Sequence, residues 1–286
     1  MRESSMTISP GEASGSSVAV PSVSSSYPGG KSGAGIYQRL INLIPRHRIL
    51  ISAFAGHCGI VRNIRPAEQT IVIDPDEAAC EWWASWSRTK QGRRLEVHHC
   101  DSIEWLRHRF GLTEYSACGS GDATRRDTGS PGQVARNGVA AGPHNPASSA
   151  ETFIFCDPPY VLSERSHGKI YAHELCDDGH HRLLRILTQI PATSAAVMVC
   201  GYSSPIYASL EPWRSIDHRV PTRGGLQDER IWLNYPEPAI LHDHRFVGNS
   251  RRERERIRRR QINWRSQLNA MGDRERAAML EVLNRE

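Results

Sequence analysis

The sequence predicts an α/β fold, a mostly parallel sheet with helices on both faces. Short apolar runs rich in Ile, Val and Phe alternate along the chain with longer segments of helical periodicity. Several of those runs end in Asp or Gly turns, the strand ends at which α/β sheets hold ligands. At 286 residues the chain is long enough to bury one sizeable core and still carry appendages.

Residues 1–26 are rich in Ser and Gly and lack the apolar stretch of a signal peptide, so a disordered lead-in to a cytosolic protein is expected. Ordered sequence begins at Tyr27. A helix over 35–44 leads into a strand at 48–53 (RILISA). A strand at 70–74 (TIVID) precedes a helix over 77–88, and a strand at 95–99 (LEVHH) precedes one over 102–110. Residues 111–150 are dense in Gly, Ser, Ala and Pro without hydrophobic period, which reads as an inserted flexible loop. The rhythm resumes with a strand at 152–156 (TFIFC), a helix over 177–189 and a strand at 196–200 (AVMVC). A late strand, 230–235 (RIWLNY), joins the sheet at its edge.

Beyond Pro238 a helical pattern spans 251–271, with Ile257, Trp264, Leu268 and Met271 near one face. Gly272 stops it and Asp273 caps a last short helix. The expected division is therefore a lead-in (1–26), a domain (27–240) interrupted at 111–150, and a basic helical extension (241–286). Charge follows that division. The net +5 is 36 basic against 31 acidic residues, and 250–260 alone holds seven Arg and two Glu, leaving 29 against 29 elsewhere. No apolar run approaches the roughly 20 residues needed to span a bilayer. The seven cysteines are scattered with no C-x-x-C pair, so neither a disulfide framework nor a metal site is expected.

The sharpest chemical motif is Asp157-Pro158-Pro159-Tyr160, directly after the apolar run 153–155. Two prolines stiffen the turn and remove two N–H donors, leaving carbonyl oxygens free to accept. An amine held by the Asp157 carboxylate and the Pro158 carbonyl would donate both its hydrogens and turn its lone pair toward an electrophile. Tyr160 offers a ring on which an everted base could stack. A proline-rich turn with a capping Asp is the plain alternative. Upstream, Phe54, Gly56 and Gly59 form a turn that permits close backbone approach to a ligand. About 20 residues on, Asp74 and Asp76 end a strand where a carboxylate can accept from ribose hydroxyls. Asp101 ends the next strand and suits an adenine edge. Each Asp alone would serve equally as a helix cap. Finally, Tyr27-Pro28-Gly29-Gly30-Lys31 lacks phosphate-loop spacing; Lys31 could instead pair with the carboxylate of a bound amino acid, with Tyr27 beside it.

The series Y-P-G-G-K, F-A-G-x-x-G, an Asp-ending strand and D-P-P-Y resembles the D12 (Dam-like) class of DNA N6-adenine methyltransferases, in its short phage and prophage form. Similarity extends through Tyr171, His180, Gly201-Tyr202-Ser203, Tyr207 and Glu229–Tyr235 to the basic tail. The resemblance implies a Rossmann-like methyltransferase fold, S-adenosylmethionine as cofactor, and direct transfer of its methyl group to adenine N6. It implies Tyr27, Lys31, Phe54, Gly56, Asp74, Asp101 and Asp157 as cofactor contacts and Asp157, Pro158, Pro159 and Tyr160 as the catalytic motif. DNA, with the base flipped from the duplex or single-stranded, is the implied partner of a monomer, alongside a restriction endonuclease of matching specificity. N4-cytosine methylation and a catalytically impaired DNA-binding relative are the alternatives. Ser52-Ala53 stands where the family often has an acid and a proline, and His57 is expected to face solvent.

Overall fold

The computed structural model describes residues 4–7, 29–33, 35–88, 94–113, 151–165, 168–222 and 225–283. The inserted segment is outside the described residues from 114 to 150, as is Tyr27.

In chain order the elements are β1 (Ser4–Thr7), α1 (Ile36–Ile41), β2 (Ile49–Ala53), α2 (Gly59–Asn63), β3 (Gln69–Asp74), α3 (Glu77–Arg88), β4 (Leu95–His99), α4 (Ser102–Arg109), β5 (Thr152–Cys156), α5 (Asp177–Thr188), β6 (Ala195–Gly201), β7 (Arg214–Thr222), β8 (Gly225–Leu233), α6 (Arg251–Ala270) and α7 (Asp273–Leu283). They form one eight-stranded sheet in the order β1-β4-β3-β2-β5-β6-β8-β7. The five strands from β4 to β6 are parallel, while β1, β8 and β7 run antiparallel to their neighbours. From β2 the chain winds outward through β3 to β4, then returns to β5 on the other side of β2. That reversal makes a topological switch point between β2 and β5, where a crevice opens at the strand ends.

Each central strand is apolar on both sides because both sides are covered. On one face Leu50, Val72, Phe153 and Met198 pack with Leu40 and Ile41 of α1, Ile60 and Val61 of α2, and Trp83 and Trp86 of α3. On the other, Ile51, Ile73, Ile154 and Val197 pack with Ile103 and Leu106 of α4 and Leu183, Leu184 and Leu187 of α5. This is the doubly wound, Rossmann-like arrangement that the alternation of the sequence predicts.

Four features differ from the sequence expectation. Residues 4–7, inside the lead-in read as disordered, pair as β1 with β4. They cover an edge that would otherwise present unpaired N–H and C=O groups. The β7–β8 hairpin adds a strand at 214–222 that the polar sequence RSIDHRVPT conceals. And the apolar residues of α6 find no core: neither α6 nor α7 has a buried residue, and Trp264 is 52% exposed. By contrast 241–247, read as the start of the extension, packs on the domain. Leu241 bridges Pro45, His242 stacks on His47 at 3.8 Å, and the buried Asp243 accepts from Arg65 N at 2.8 Å.

Candidate active site

The crevice at the switch point is a cleft lined by Gly29 and Gly30, the turn after β2, the end of β3, the turn after β5 and the segment 171–173. Five separated stretches of sequence therefore meet at one place.

The turn after β2 is tightly built. Phe54 and Gly56 both take left-handed backbone conformations, with φ of 55° and 42°. For Phe54 this costs energy, a strain that tends to gather at functional sites. Gly56 N donates to Asp74 Oδ2 at 2.7 Å and Asp76 N to Asp74 Oδ1 at 2.8 Å, so Asp74 knits two strand ends together. Burial raises the proton affinity of Asp74, partly offset by those two N–H donors. Both Asp74 and Asp76 line the cleft.

Gly59 has a purpose other than ligand approach. A Cβ there would lie 2.6 Å from the backbone oxygen of Lys31, and Gly59 N donates to Gly30 O at 2.6 Å. The glycine lets the Gly30-Lys31 backbone dock on the start of α2. Gly59→Ala should therefore destabilise the protein by about 1–3 kcal/mol, as overpacking does. A Gly→Ala change without a clash raises stability instead, so the sign of the melting-temperature shift distinguishes the two cases.

Lys31, itself left-handed with φ of 49°, turns its side chain inward. Its ammonium lies 3.0 Å from Asp157 Oδ1 and 3.4 Å from Glu229 Oε1, donates to the Tyr160 hydroxyl, and stands 4.8 Å from the Tyr160 ring centre. Burial works against the charge, but Asp157 and Glu229 outweigh it and hold Lys31 well above the ordinary lysine range. In place of a ligand carboxylate, the structure shows the Lys31 charge facing Asp157 and Glu229 within the protein. Burial and the neighbouring Glu229 push the Asp157 carboxyl up to about 6, while Lys31 draws it down.

The other expected residues divide. Asp157 and Pro159 line the cleft, with Pro158 buried between them. Tyr160 is 9% exposed and meets Tyr202 edge-on at 4.6 Å, leaving little free ring for stacking. Tyr202, half-buried, keeps the more open position. Asp101 does not line the cleft; its carboxylate accepts from Ile103 N and Glu104 N as the N-cap of α4. His57 is not a solvent-facing loop residue but stacks on Trp82 at 4.3 Å, lining the cleft. Ser52 is fully buried on its strand, with its hydroxyl beside the Cys58 thiol. Tyr171, Ala172 and His173 join the cleft; the Tyr171 hydroxyl lies against Gly29, where any side chain would collide with it.

Among the described residues no cluster of His, Cys, Asp and Glu could hold a metal ion, and no helix is long and apolar enough to cross a membrane. The described cysteines are free thiols.

No protein-family model matches the sequence, and no curated protein matches it. Among solved structures the chain is similar to an Escherichia coli protein described as a methyltransferase, yhhF, with 13% identity over 82% of this chain and 99% of that one and a TM-score of 0.39. It is similar to an rRNA methylase from Streptococcus thermophilus, with 10% identity over 69% and 92% and a TM-score of 0.36. TrmK of M. capricolum, solved with S-adenosyl-homocysteine, gives 8% identity over 88% and 95% and a TM-score of 0.36. The strand order, not these distant likenesses, defines the fold of this chain.

Proposed function

We propose that the chain is an S-adenosylmethionine-dependent methyltransferase acting on adenine N6 in DNA. The observation that carries the reading is the setting of Asp157. It follows the central strand β5 at the switch point, one carboxylate oxygen faces a buried lysine, and the residue lines the same cleft as Asp74 and Asp76. A fixed acceptor of this kind, next to the rigid Pro158-Pro159 turn, suits an amine that must present its lone pair in one direction.

The cleft residues fit the cofactor. Acids at the end of β3 suit ribose hydroxyls, Phe54 gives an apolar wall, and Asp157 adds negative charge where a cation would sit. When bound, S-adenosylmethionine supplies a methyl group made electrophilic by its sulfonium. The protein's own part is to hold the amine: one hydrogen to Asp157, the other to the Pro158 carbonyl, in line with the methyl group. Alignment of this type is worth about 7–11 kcal/mol over free encounter. The target base has to leave the duplex, at a cost of about a few kcal/mol, and Tyr202 rather than Tyr160 is the better ring for it to rest on.

Incubation with S-adenosylmethionine and DNA, followed by digestion and mass spectrometry of the nucleosides, tests the target. N6-methyladenine is the expected product. N4-methylcytosine would move the assignment to the cytosine amine, which presents the same two hydrogens, and 5-methylcytosine would refute the mechanism.

Helix α6 supplies DNA affinity in this reading. It carries eight Arg and two Glu on an exposed rod, and of those arginines Arg251 and Arg256 pair with the two glutamates, at 3.1 and 3.6 Å. The remaining charge is available to phosphate. Deletion of 250–286 should leave the melting temperature unchanged, because α6 and α7 bury nothing. The salt dependence of DNA binding should flatten by about 0.9 in slope for each phosphate that the shortened chain no longer neutralises. An unchanged slope would remove α6 from the interface.

A further inference from the structure

The site holds a second carboxylate, Glu229, that no step above employs. It lies on β8 directly opposite His218 of β7. Ion pairs between Asp217 and Arg230 (2.6 Å) and between Arg219 and Asp228 (3.0 Å) pin that register. They occupy the opposite face of the hairpin, so His218 and Glu229 turn inward, each 6% exposed. One Glu229 oxygen is 3.4 Å from Lys31 Nζ and the other 3.4 Å from His218 Nε2. The lysine is thus shared between two buried carboxylates, Glu229 and Asp157.

Among the described residues, the surroundings do not supply a second matching positive charge. Burial disfavours charge on His218, which Arg39 approaches from α1 and Asp217 from β7. The Cys58 and Cys200 thiols and the Tyr160, Tyr171 and Tyr202 phenols near the two carboxylates are all kept neutral by burial. Of the further cations, Arg39 stands exposed to solvent on α1 and Arg165 is paired with Glu174. One ammonium therefore serves two anions in a space water does not screen.

We propose that Glu229 is a positioning residue for proton removal: by sharing Lys31, it loosens that lysine's hold on Asp157 enough for Asp157 to take the proton an amine loses on methylation. The use rests on the methyltransferase reading, the coupling on geometry alone. As the nitrogen–carbon bond forms, the carbon–sulfur electron pair stays on sulfur. The nitrogen, now cationic, releases one proton to the Asp157 carboxylate, which lines the cleft, and from there it passes to solvent. With the lysine held by Asp157 alone, the carboxylate would be a weaker base and a poorer acceptor.

Carbon-detected NMR titration of the Asp157 carboxyl, in the full chain without cofactor, tests the coupling. The wild-type midpoint should lie near the value of about 6. Glu229→Gln, which keeps shape and removes charge, should lower it by about one pH unit. Tyr160→Phe, which removes a hydroxyl that hydrogen-bonds Asp157, should raise it. The acid limb of kcat should follow both shifts, with cofactor affinity unchanged in Glu229→Gln. A Glu229→Gln midpoint equal to or above wild type would overturn the proposal. Opposite shifts in a protein that transfers no methyl group would uphold the coupling and refute only its assigned use.

Discussion

Asp157→Ala should abolish methyl transfer while DNA binding survives and S-adenosylmethionine binds more weakly, for want of the negative charge beside its sulfonium. The substitution removes the acceptor that orients the amine and stabilises its developing positive charge. Loss of one preorganised electrostatic partner costs about 10²–10³-fold in kcat, and here the same group also aligns the nucleophile, so the loss should reach at least the upper end. Single-turnover methylation beside calorimetric cofactor titration separates the two quantities. The pH profile gives a second check on the same residue. Protonated Asp157 cannot accept from the amine, so activity should fall as pH drops through about 6, the position to which burial pushes this carboxyl. Wild-type turnover in the alanine variant would refute the assignment.

Lys31→Met should act first on stability. Its ammonium is the shared counter-charge of Asp157 and Glu229, with only 5% of its side chain exposed. Removing one partner from a buried ion pair costs roughly 3–5 kcal/mol, because the charge left behind is desolvated and unmatched. A urea midpoint well below wild type is therefore expected. The pH dependence carries a definite sign. Buried carboxylates without their cation hold protons more tightly folded than unfolded, so the deficit should shrink as pH falls and grow as pH rises past the raised titration range. A lysine whose sole role was to contact the cofactor would instead leave the urea midpoint untouched and weaken cofactor binding alone.

Much of this site is legible in the sequence because its parts are local. Strands β2 to β6 announce themselves as apolar runs, and the D-P-P-Y turn and the Asp74 strand end fall at their ends. The two-carboxylate arrangement around Lys31 is not local. Lys31 and Glu229 are 198 residues apart, and only the sheet order brings β8 beside β6, one strand away from β5. A signal exists in the hairpin: Ile216 alternates with His218, and Glu229 with Ile231, placing polar residues at inward positions of a buried strand pair. The polar composition of β7 and its Pro221 hide that alternation. Asp101 shows the converse limit. A carboxylate at a strand end is chemically the same whether it meets a ligand or caps a helix, and here it caps α4. The five residues of α2 are too few for a helical period to register.

The proposed chemistry requires S-adenosylmethionine to lie in the cleft with its reactive centre facing Asp157. A crystal structure of the chain with S-adenosylhomocysteine would decide whether it does. The expected density has ribose hydroxyls against the acids that end β3 and the sulfur directed at residue 157, across an opening wide enough for a methyl group and an amine. A ligand seated elsewhere, or a cleft still empty at saturating concentration, would contradict it.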